Sequence, residues 1–130
     1  MSEAEHDLRS AAIQADRSGL PDPQAKGAWR ALADTEFSLL DCFDHDGRRY
    51  FVARLDGSTA VCSAREREVL AYVARGLTNK EIAFALGVAP STVSSHLNNA
   101  MRRLGVRDRW ILAELLFVAR FEEQRCMELA

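Results

Sequence analysis

The chain has 130 residues, of which 48% are hydrophobic and 28% are charged, and its formal net charge is −2; these values are ordinary for a soluble folded protein of one compact domain or two small coupled ones. No apolar run approaches the length that crosses a bilayer, and the acidic, polar start MSEAEHDLRS is not a secretory signal, so we expect a cytoplasmic protein with no membrane partner. The cysteines Cys42, Cys62 and Cys126 are odd in number and far apart, which argues against a disulfide framework or metal-ligand spacing and predicts buried, reduced thiols.

The N-terminal part begins with two weak helical signals. Residues 3–17 predict a weak amphipathic helix. The segment SGLPDP at 18–23 predicts a break, because it holds a glycine and two prolines. A second short helix is predicted over 24–33, with Trp29 and Leu32 as its apolar anchors.

A β-hairpin is predicted over residues 37–55. Two β-prone runs, FSLLDCF and RRYFVARL, flank a turn in DHDG, where Gly47 can adopt a positive φ. The acidic pair Asp44 and Asp46 raises the alternative of a calcium loop. That loop would require a closing glutamate about six residues after the glycine, and apolar residues stand there instead, so we prefer the turn.

Two capping boxes open the next helices. Ser63 and Glu66 have the S-x-x-E pattern, which predicts the start of a helix. Thr78 and Glu81 have the T-x-x-E pattern and start a second, shorter helix that Gly87 ends. Both helices carry apolar residues at helical spacing, so each has a face that can be buried.

A third helix follows after about four residues, with Pro90 in its first turn. Its apolar residues recur at spacings of four, three and four: Val93, Leu97, Ala100 and Leu104. Gly105 ends this helix, and Asp108 can cap a fourth helix that runs toward the C-terminus. Two short helices joined by so tight a turn are typical of a helix-turn-helix.

The segment SAREREVLAYVARGLTNKEIAFALGVAPSTVSSHLNNAMRRLGVRDR closely resembles the DNA-binding domain of LuxR-type (GerE-type) bacterial transcription regulators. The resemblance covers residues 62 to about 120, with REREVL, ARGLTNKEIA, TV-x-x-H and RRLGV-x-x-R in order. It implies a four-helix domain whose second and third helices form the helix-turn-helix, with the third helix in the major groove of duplex DNA. It also implies that the fourth helix commonly pairs two copies.

The expected fold is therefore mainly α. Residues 62–130 would form the LuxR-type domain with an extended C-terminal helix, and residues 1–61 a short α+β extension that contains the hairpin. Family members usually carry a receiver or a small-molecule-binding domain upstream, and residues 1–61 are too short for either. They are also too few for a self-sufficient core, so we expect them to pack on the C-terminal module, on a twin subunit, or on both.

Five polar residues are predicted to contact DNA phosphates from helix starts. Thr78, Asn79 and Lys80 begin the second helix of the module, and Ser91 and Thr92 lie in the first turn of the recognition helix. Unpaired backbone N–H groups and the positive end of the helix dipole favour a phosphate there. Such contacts fix the position of the protein without reading the base sequence. The alternative for Thr78 is a capping role alone.

Four residues of the third helix point away from its apolar stripe: Ser94, Ser95, Asn98 and Asn99. The resemblance places base-reading side chains at the first three. Family members often have lysine at the first of them and basic residues near the last, and this chain departs from both. Asparagine can still bind adenine through N6 and N7, and serine can donate or accept at several bases. The alternative is a merely hydrophilic helix face.

Arginines supply most of the remaining positive charge near this helix. We expect Arg102 and Arg107 to contact phosphates, whereas Arg109 matches a family arginine and can instead brace the last helix. His96 is expected to pack rather than to bind a metal. Ala89 stands where the family has serine or threonine, which forfeits a helix cap worth about 1 kcal/mol.

The last helix is apolar around most of its circumference, with Trp110, Phe117 and Phe121 on a face of their own. One apolar face suffices to cover the core of the module, so a second partner is expected. We predict a homodimer through this C-terminal helix, with the N-terminal hairpin as a further candidate contact. A two-fold dimer would match two DNA half-sites one helical turn apart.

Charge is distributed unevenly, and this leaves rival hypotheses open. Residues 1–62 hold seven basic and eleven acidic residues, whereas 63–109 hold eight basic and four acidic ones. A positive middle favours contact with a polyanion. The rivals are a helix-turn-helix protein that binds another regulator instead of DNA, and autoinhibition, in which the acidic segment covers the basic module. No catalytic set or cofactor motif emerges, so we expect neither an enzyme nor a cofactor.

Overall fold

The computed structural model describes residues 3–18, 25–55 and 62–128. Within these ranges the fold is mainly helical, with six helices and one two-stranded antiparallel sheet. The elements in chain order are α1 (Glu3–Ser18), α2 (Ala25–Ala33), β1 (Phe37–His45), β2 (Arg48–Leu55), α3 (Ala64–Ala74), α4 (Asn79–Leu86), α5 (Pro90–Leu104) and α6 (Arg109–Glu128). The predicted break at 18–23 lies outside the described residues except for Ser18, the last residue of α1. No described helix is long and apolar enough to span a membrane.

The predicted hairpin is confirmed, with β1 antiparallel to β2 and His45 opposite Arg48. Its turn consists of Asp46 and Gly47, whose φ angles are 50° and 74°. Positive φ at both central residues is what a two-residue type I′ turn requires, and Asp-Gly is a preferred pair for it. The DHDG segment is therefore a chain reversal.

Helix α1 is held to the hairpin by Arg9. Its guanidinium donates to both carboxylate oxygens of Asp41, at 2.7 and 3.1 Å, and lies 4.9 Å from the ring centroid of Phe43. The hydrogen bonds from Arg9 hold the pKa of Asp41 below its usual value.

The register of β1 shifts between Leu39 and Asp41, which is a β-bulge at Leu40.

The N-terminal part packs on the C-terminal module, as its small size predicts. Helix α2 lies along α6, and Phe37 of β1 is fully buried in a core cluster that also contains Leu70, Leu104 and Leu112. Strand β1 also meets the end of α5, where the backbone of Leu39 approaches Gly105. One hydrophobic core therefore includes side chains from both parts of the chain.

The local signals of the module are confirmed. Ser63 with Glu66 and Thr78 with Glu81 form reciprocal capping boxes at the starts of α3 and α4. Two helices end at glycines in the left-handed region, Gly87 with φ 68° and Gly105 with φ 75°. The predicted stripe of α5 is buried throughout: Val93, Leu97, Ala100 and Leu104.

The prediction of buried, reduced thiols holds for Cys62 and only in part for Cys42. Cys62 is buried and Cys42 is half-buried, and both are free. Burial raises the pKa of each thiol, so both remain protonated at neutral pH. The side chain of Cys126 lies outside the described residues.

Candidate nucleic-acid interface

Helices α4 and α5 form a rigid pair joined by residues 87–89. The left-handed Gly87 ends α4, and the N–H of Val88 returns to the carbonyl oxygen of Ala83 at 3.0 Å. Ile82 of α4 and Val93 of α5 are both fully buried in the common core. This arrangement is the predicted helix-turn-helix, and it fixes one face of α5 inward and the opposite face outward.

The start of α4 has a reciprocal cap. The Thr78 hydroxyl accepts from the N–H of Glu81 at 3.2 Å, and the Glu81 carboxylate accepts from the N–H of Thr78 at 3.1 Å. These hydrogen bonds lower the pKa of Glu81, so it is ionised at neutral pH. The next two N–H groups, of Asn79 and Lys80, have no intrahelical acceptor because they lie in the first turn. They remain suited to an anion, and the Lys80 side chain is exposed beside them.

Arg109, the first residue of α6, connects α6 to the start of α4, in line with the structural role expected from the sequence. Its guanidinium donates to the side-chain oxygen of Asn79 and, at 2.6 Å, to the carbonyl oxygen of Leu77. The Asn79 side chain is half-buried and holds α4 against the start of α6. The side-chain oxygen of Asn79 is taken up by Arg109, and the donors that Asn79 can offer to a phosphate are its backbone N–H and its side-chain NH2.

The start of α5 differs from that of α4. Ala89 provides no side-chain cap, and Pro90 has no N–H. The N–H of Thr92 is bound to the carbonyl oxygen of Ala89 at 3.0 Å. Of these two residues, therefore, only Ser91 has a backbone N–H without an intrahelical acceptor, and the phosphate contacts of both residues stay a prediction. Thr92 retains its hydroxyl.

The outward face of α5 is polar and open. Ser95, Asn98, Asn99 and Arg102 are exposed, whereas Ser94 is half-buried at the edge of the face. His96 is half-buried as well, in keeping with a packing role. Within the described ranges the acidic N-terminal part does not cover these exposed side chains. The autoinhibition hypothesis, in which the acidic segment covers the basic module, stays a prediction.

The arginines near α5 are of two kinds: one forms an ion pair within the fold, and two are exposed without one among the described residues. Arg103 pairs at 2.9 Å with the buried carboxylate of Glu66, which also caps α3, so Arg103 ties α5 to α3. Arg102 and Arg107 are exposed, and no ion pair among the described residues involves either of them. Arg102 and Arg107 can therefore approach a phosphate without breaking an ion pair of the fold.

The outer face of α6 remains aromatic and exposed, as predicted. Trp110, Phe117 and Phe121 are 77%, 61% and 58% exposed, while Leu112 and Leu116 on the inner side are buried. Asp108 caps the helix by accepting from the N–H of Trp110 at 2.8 Å.

Sequence reasoning missed two features of the surface. Phe84 on α4 is 91% exposed, although its position in an apolar run, EIAFAL, gave no sign of this. Arg49 bridges the hairpin and α6 by pairing with Asp44 at 3.0 Å and with Glu114 at 2.7 Å. No sequence signal identified the partner of Arg49 on α6.

Comparison with known proteins identifies a family and several relatives that this chain resembles. The family described as "Bacterial regulatory proteins, luxR family" matches residues 60–116. The nitrate/nitrite response regulator protein NarP of Escherichia coli is 42% identical over 59 residues, which are 45% of this chain and 27% of NarP. The putative HTH-type transcriptional regulator YhjB of the same organism is 44% identical over 57 residues, 44% of this chain and 28% of YhjB.

A shorter relative is matched over most of its length. The spore germination protein GerE of Bacillus subtilis is 39% identical over 66 residues, which are 50% of this chain and 89% of GerE. The chain spans less than a third of NarP and of YhjB. No solved structure gives a significant match. With the helix-turn-helix geometry, these similarities show that the chain belongs to the luxR family of bacterial regulatory proteins, which are DNA-binding transcriptional regulators.

Proposed function

We propose that this protein regulates transcription in the bacterial cytoplasm by binding duplex DNA as a homodimer, with α5 of each subunit in the major groove. The observation that carries the proposal is the exposed polar face of α5 on a rigid helix pair. We assign the DNA-binding role to residues 62–130 and regard 1–61 as an extension packed on them.

Base reading is assigned to the exposed face of α5. Asn98 can form two hydrogen bonds to one adenine, and Ser95 and Asn99 flank it on the same surface. Ser94 is half-buried and can reach a base only at the edge of this face. The packing of α5 holds its backbone in place before binding, so binding need not order that backbone.

Phosphate contacts are assigned to groups around this face. Backbone N–H groups are available at Asn79, Lys80 and Ser91, as the geometry of the two helix starts supports. The hydroxyl of Thr92 lies in the first turn of α5, and that of Thr78, the N-cap of α4, can donate to a phosphate while it accepts from the N–H of Glu81. Exposed cations complete the set: Lys80, Arg102 and Arg107.

Fluorescence anisotropy of labelled genomic fragments, repeated at several salt concentrations, tests the proposal. If each subunit neutralises about three phosphates, the slope of log K against log salt should be about −5 for the dimer. We expect saturable binding that prefers one sequence over an unrelated duplex. The absence of binding even at low salt would contradict the proposal.

That negative result would favour the second candidate function, an interaction protein that binds another regulator. The observation in its favour is the scarcity of charge on α5, which carries no Lys or Arg before Arg102. In this account the polar face of α5 would contact protein rather than DNA.

Homodimerisation is assigned to the aromatic face of α6. A hollow of about 430 Å³ lies between the end of α3 and α6, and Ala74, Phe117 and Phe121 are among the residues that line it. Exposed aromatic side chains beside a hollow are suited to a self-complementary two-fold contact, in which each copy inserts its rings into the other. The same symmetry would place two α5 helices on consecutive half-sites.

Phe117→Glu should convert the dimer into a monomer, because it removes a large apolar side chain from the contact and puts in its place a carboxylate that must be desolvated, although Arg75, Arg120 and Arg125 line the same hollow. Sedimentation equilibrium should report about half the mass of the unsubstituted protein. Phe84→Glu is the matched control: it places the same charge at a more exposed phenylalanine on α4, away from the aromatic face, and should leave the mass unchanged. A Phe117→Glu protein that remains dimeric would show that α6 is not the interface.

A further inference from the structure

We propose that Arg9 is a positioning residue for DNA binding: its pairing with Asp41 keeps that carboxylate from pairing with Arg107, and so leaves Arg107 open to a phosphate. The inference rests on the proposed function, because Arg107 is among the residues assigned to phosphate contact. It gives α1 of the N-terminal part an effect on DNA affinity, although α1 itself carries no assigned contact with DNA.

The two side chains meet at a small hollow between the bulged part of β1 and the connection from α5 to α6. This hollow measures about 180 Å³, and both Asp41 from the strand and Arg107 from the connection line it. The connection is fixed beside the strand at two points, because the backbone of Leu39 approaches Gly105 and the side chain of Val106 is buried in the core. The acidic and the basic side chain are therefore held as neighbours by the fold.

Asp41 is fully engaged by Arg9 in this structure. The guanidinium of Arg9 donates to both carboxylate oxygens, and the N–H of Cys42 donates to one of them at 2.8 Å. The ring of Phe43 lies under the same guanidinium and adds a cation–π contact. The Asp41 side chain is only 15% exposed, so its negative charge gains from a cationic partner and is costly to leave without one.

Arg107 is the cation that would take the place of Arg9. Among the described residues that line the hollow it is the only basic one, and no ion pair between described residues involves it. Asp108 lines the hollow as well, but its carboxylate accepts from the N–H of Trp110 at 2.8 Å as the cap of α6. Without Arg9, the carboxylate of Asp41 would pair with Arg107. An arginine that is held by a carboxylate no longer neutralises a phosphate.

Arg9→Gln should weaken binding to every duplex alike, by roughly ten-fold, and should make the salt slope of the dimer less steep by up to about two, because each subunit loses one phosphate contact. Anisotropy titrations at several salt concentrations measure both effects. Arg30→Gln is the matched control. It removes the same charge from an exposed residue of α2, whose partner Asp34 lies 3.8 Å away and outside the hollow, and it should change neither quantity.

Double variants show whether Arg9 acts through Asp41 and Arg107. Asp41→Asn added to Arg9→Gln should restore affinity and salt slope, because asparagine keeps an acceptor for the N–H of Cys42 but carries no charge. Arg9→Gln should have no further effect in an Arg107→Gln protein, whereas its effect should persist in full in an Arg102→Gln protein. A merely structural role of Arg9 would instead give a loss that Asp41→Asn does not restore. Circular dichroism verifies that each variant is folded.

The exchange of partners can also be measured without DNA. In Arg9→Gln, an NMR titration should find the pKa of Asp41 still below its usual value, and adding Arg107→Gln should raise it. The proposal is overturned if Arg107→Gln leaves this pKa unchanged, or if the loss of affinity in Arg9→Gln persists without Arg107. A protein that binds no duplex although the pKa responds as expected would refute the proposed function, and with it the role of Arg9 in DNA binding, but not the exchange of partners.

Discussion

Replacing Gly105 by alanine is expected to destabilise the protein by about 3 kcal/mol. Gly105 ends α5 with φ at 75°, where an added Cβ costs roughly 1–2 kcal/mol. That Cβ would also lie 2.8 Å from the backbone oxygen of Leu39, a contact too short to persist. Because the obstacle is backbone of β1 rather than a flexible side chain, relieving it requires a shift of the hairpin, which adds a cost of about 1–3 kcal/mol.

Gly87→Ala is the matched control for this prediction. Gly87 ends α4 with a similar φ of 68°, but nothing lies within 4 Å of its added Cβ. Its replacement should therefore cost only the conformational term, roughly 1–2 kcal/mol. Urea unfolding followed by circular dichroism gives both free energies. Equal losses for the two variants would contradict the close approach of β1 to Gly105.

The comparison also tests how the two parts of the chain are coupled. The hairpin contacts α5 at its last residue, directly beside the arginines that we expect to meet DNA. If hairpin and module unfold together, Gly105→Ala should shift a single transition. If the N-terminal part detaches first, the fluorescence of Trp29 on α2, measured with Trp110 replaced by phenylalanine, and the helical signal should report different transitions.

The sequence was most informative where one residue acts on its near neighbours. The capping boxes at Ser63 and Thr78, and the glycines at 87 and 105, involve partners within a few positions along the chain. The two-residue turn at Asp46 is equally local. Helix starts, helix ends and the hairpin were therefore predictable from pattern and stereochemistry alone.

Contacts between distant segments could not be predicted in this way. Arg9 meets Asp41 across 32 positions and Arg49 meets Glu114 across 65, yet each arginine has other carboxylates nearer in the chain. Which of these it meets depends on how α1 and α6 pack on the hairpin. The same is true of Leu39, whose approach to Gly105 becomes visible only in three dimensions.

The candidate site, too, has features that the sequence predicts and features that depend on three-dimensional geometry. The buried stripe of α5 fixed which residues face outward, so the exposure of Asn98 and Arg102 was predictable from helical period. Beyond the capping boxes, the hydrogen bonds made at the helix starts could not be predicted from the sequence. Thr92 uses its N–H within α5, and Asn79 uses its side-chain oxygen for Arg109, because both depend on the detailed geometry of the corner.

Asn98→Ala and Arg102→Ala should weaken DNA binding in two different ways. Asn98 is exposed at the centre of the polar face of α5, where a bidentate contact to one adenine is worth about 1–3 kcal/mol per half-site. Its loss should reduce affinity for the preferred sequence about 10- to 100-fold per half-site and relax preference at one base pair. Affinity for unrelated DNA should hardly change, because an asparagine adds nothing to non-specific attraction.

Arg102 lies one turn further along the same exposed surface, and its charge is open to a phosphate. Arg102→Ala should weaken all sequences alike and make the salt slope of the dimer less steep by about two, one phosphate per subunit. Anisotropy titrations of both variants, against the preferred and an unrelated duplex at several salt concentrations, separate the two effects. If Asn98→Ala weakens both duplexes equally, or Arg102→Ala leaves the salt slope unchanged, the assignment of base reading and phosphate contact on α5 is wrong. Because neither side chain supports the fold, a change in affinity would report on DNA contact rather than on stability.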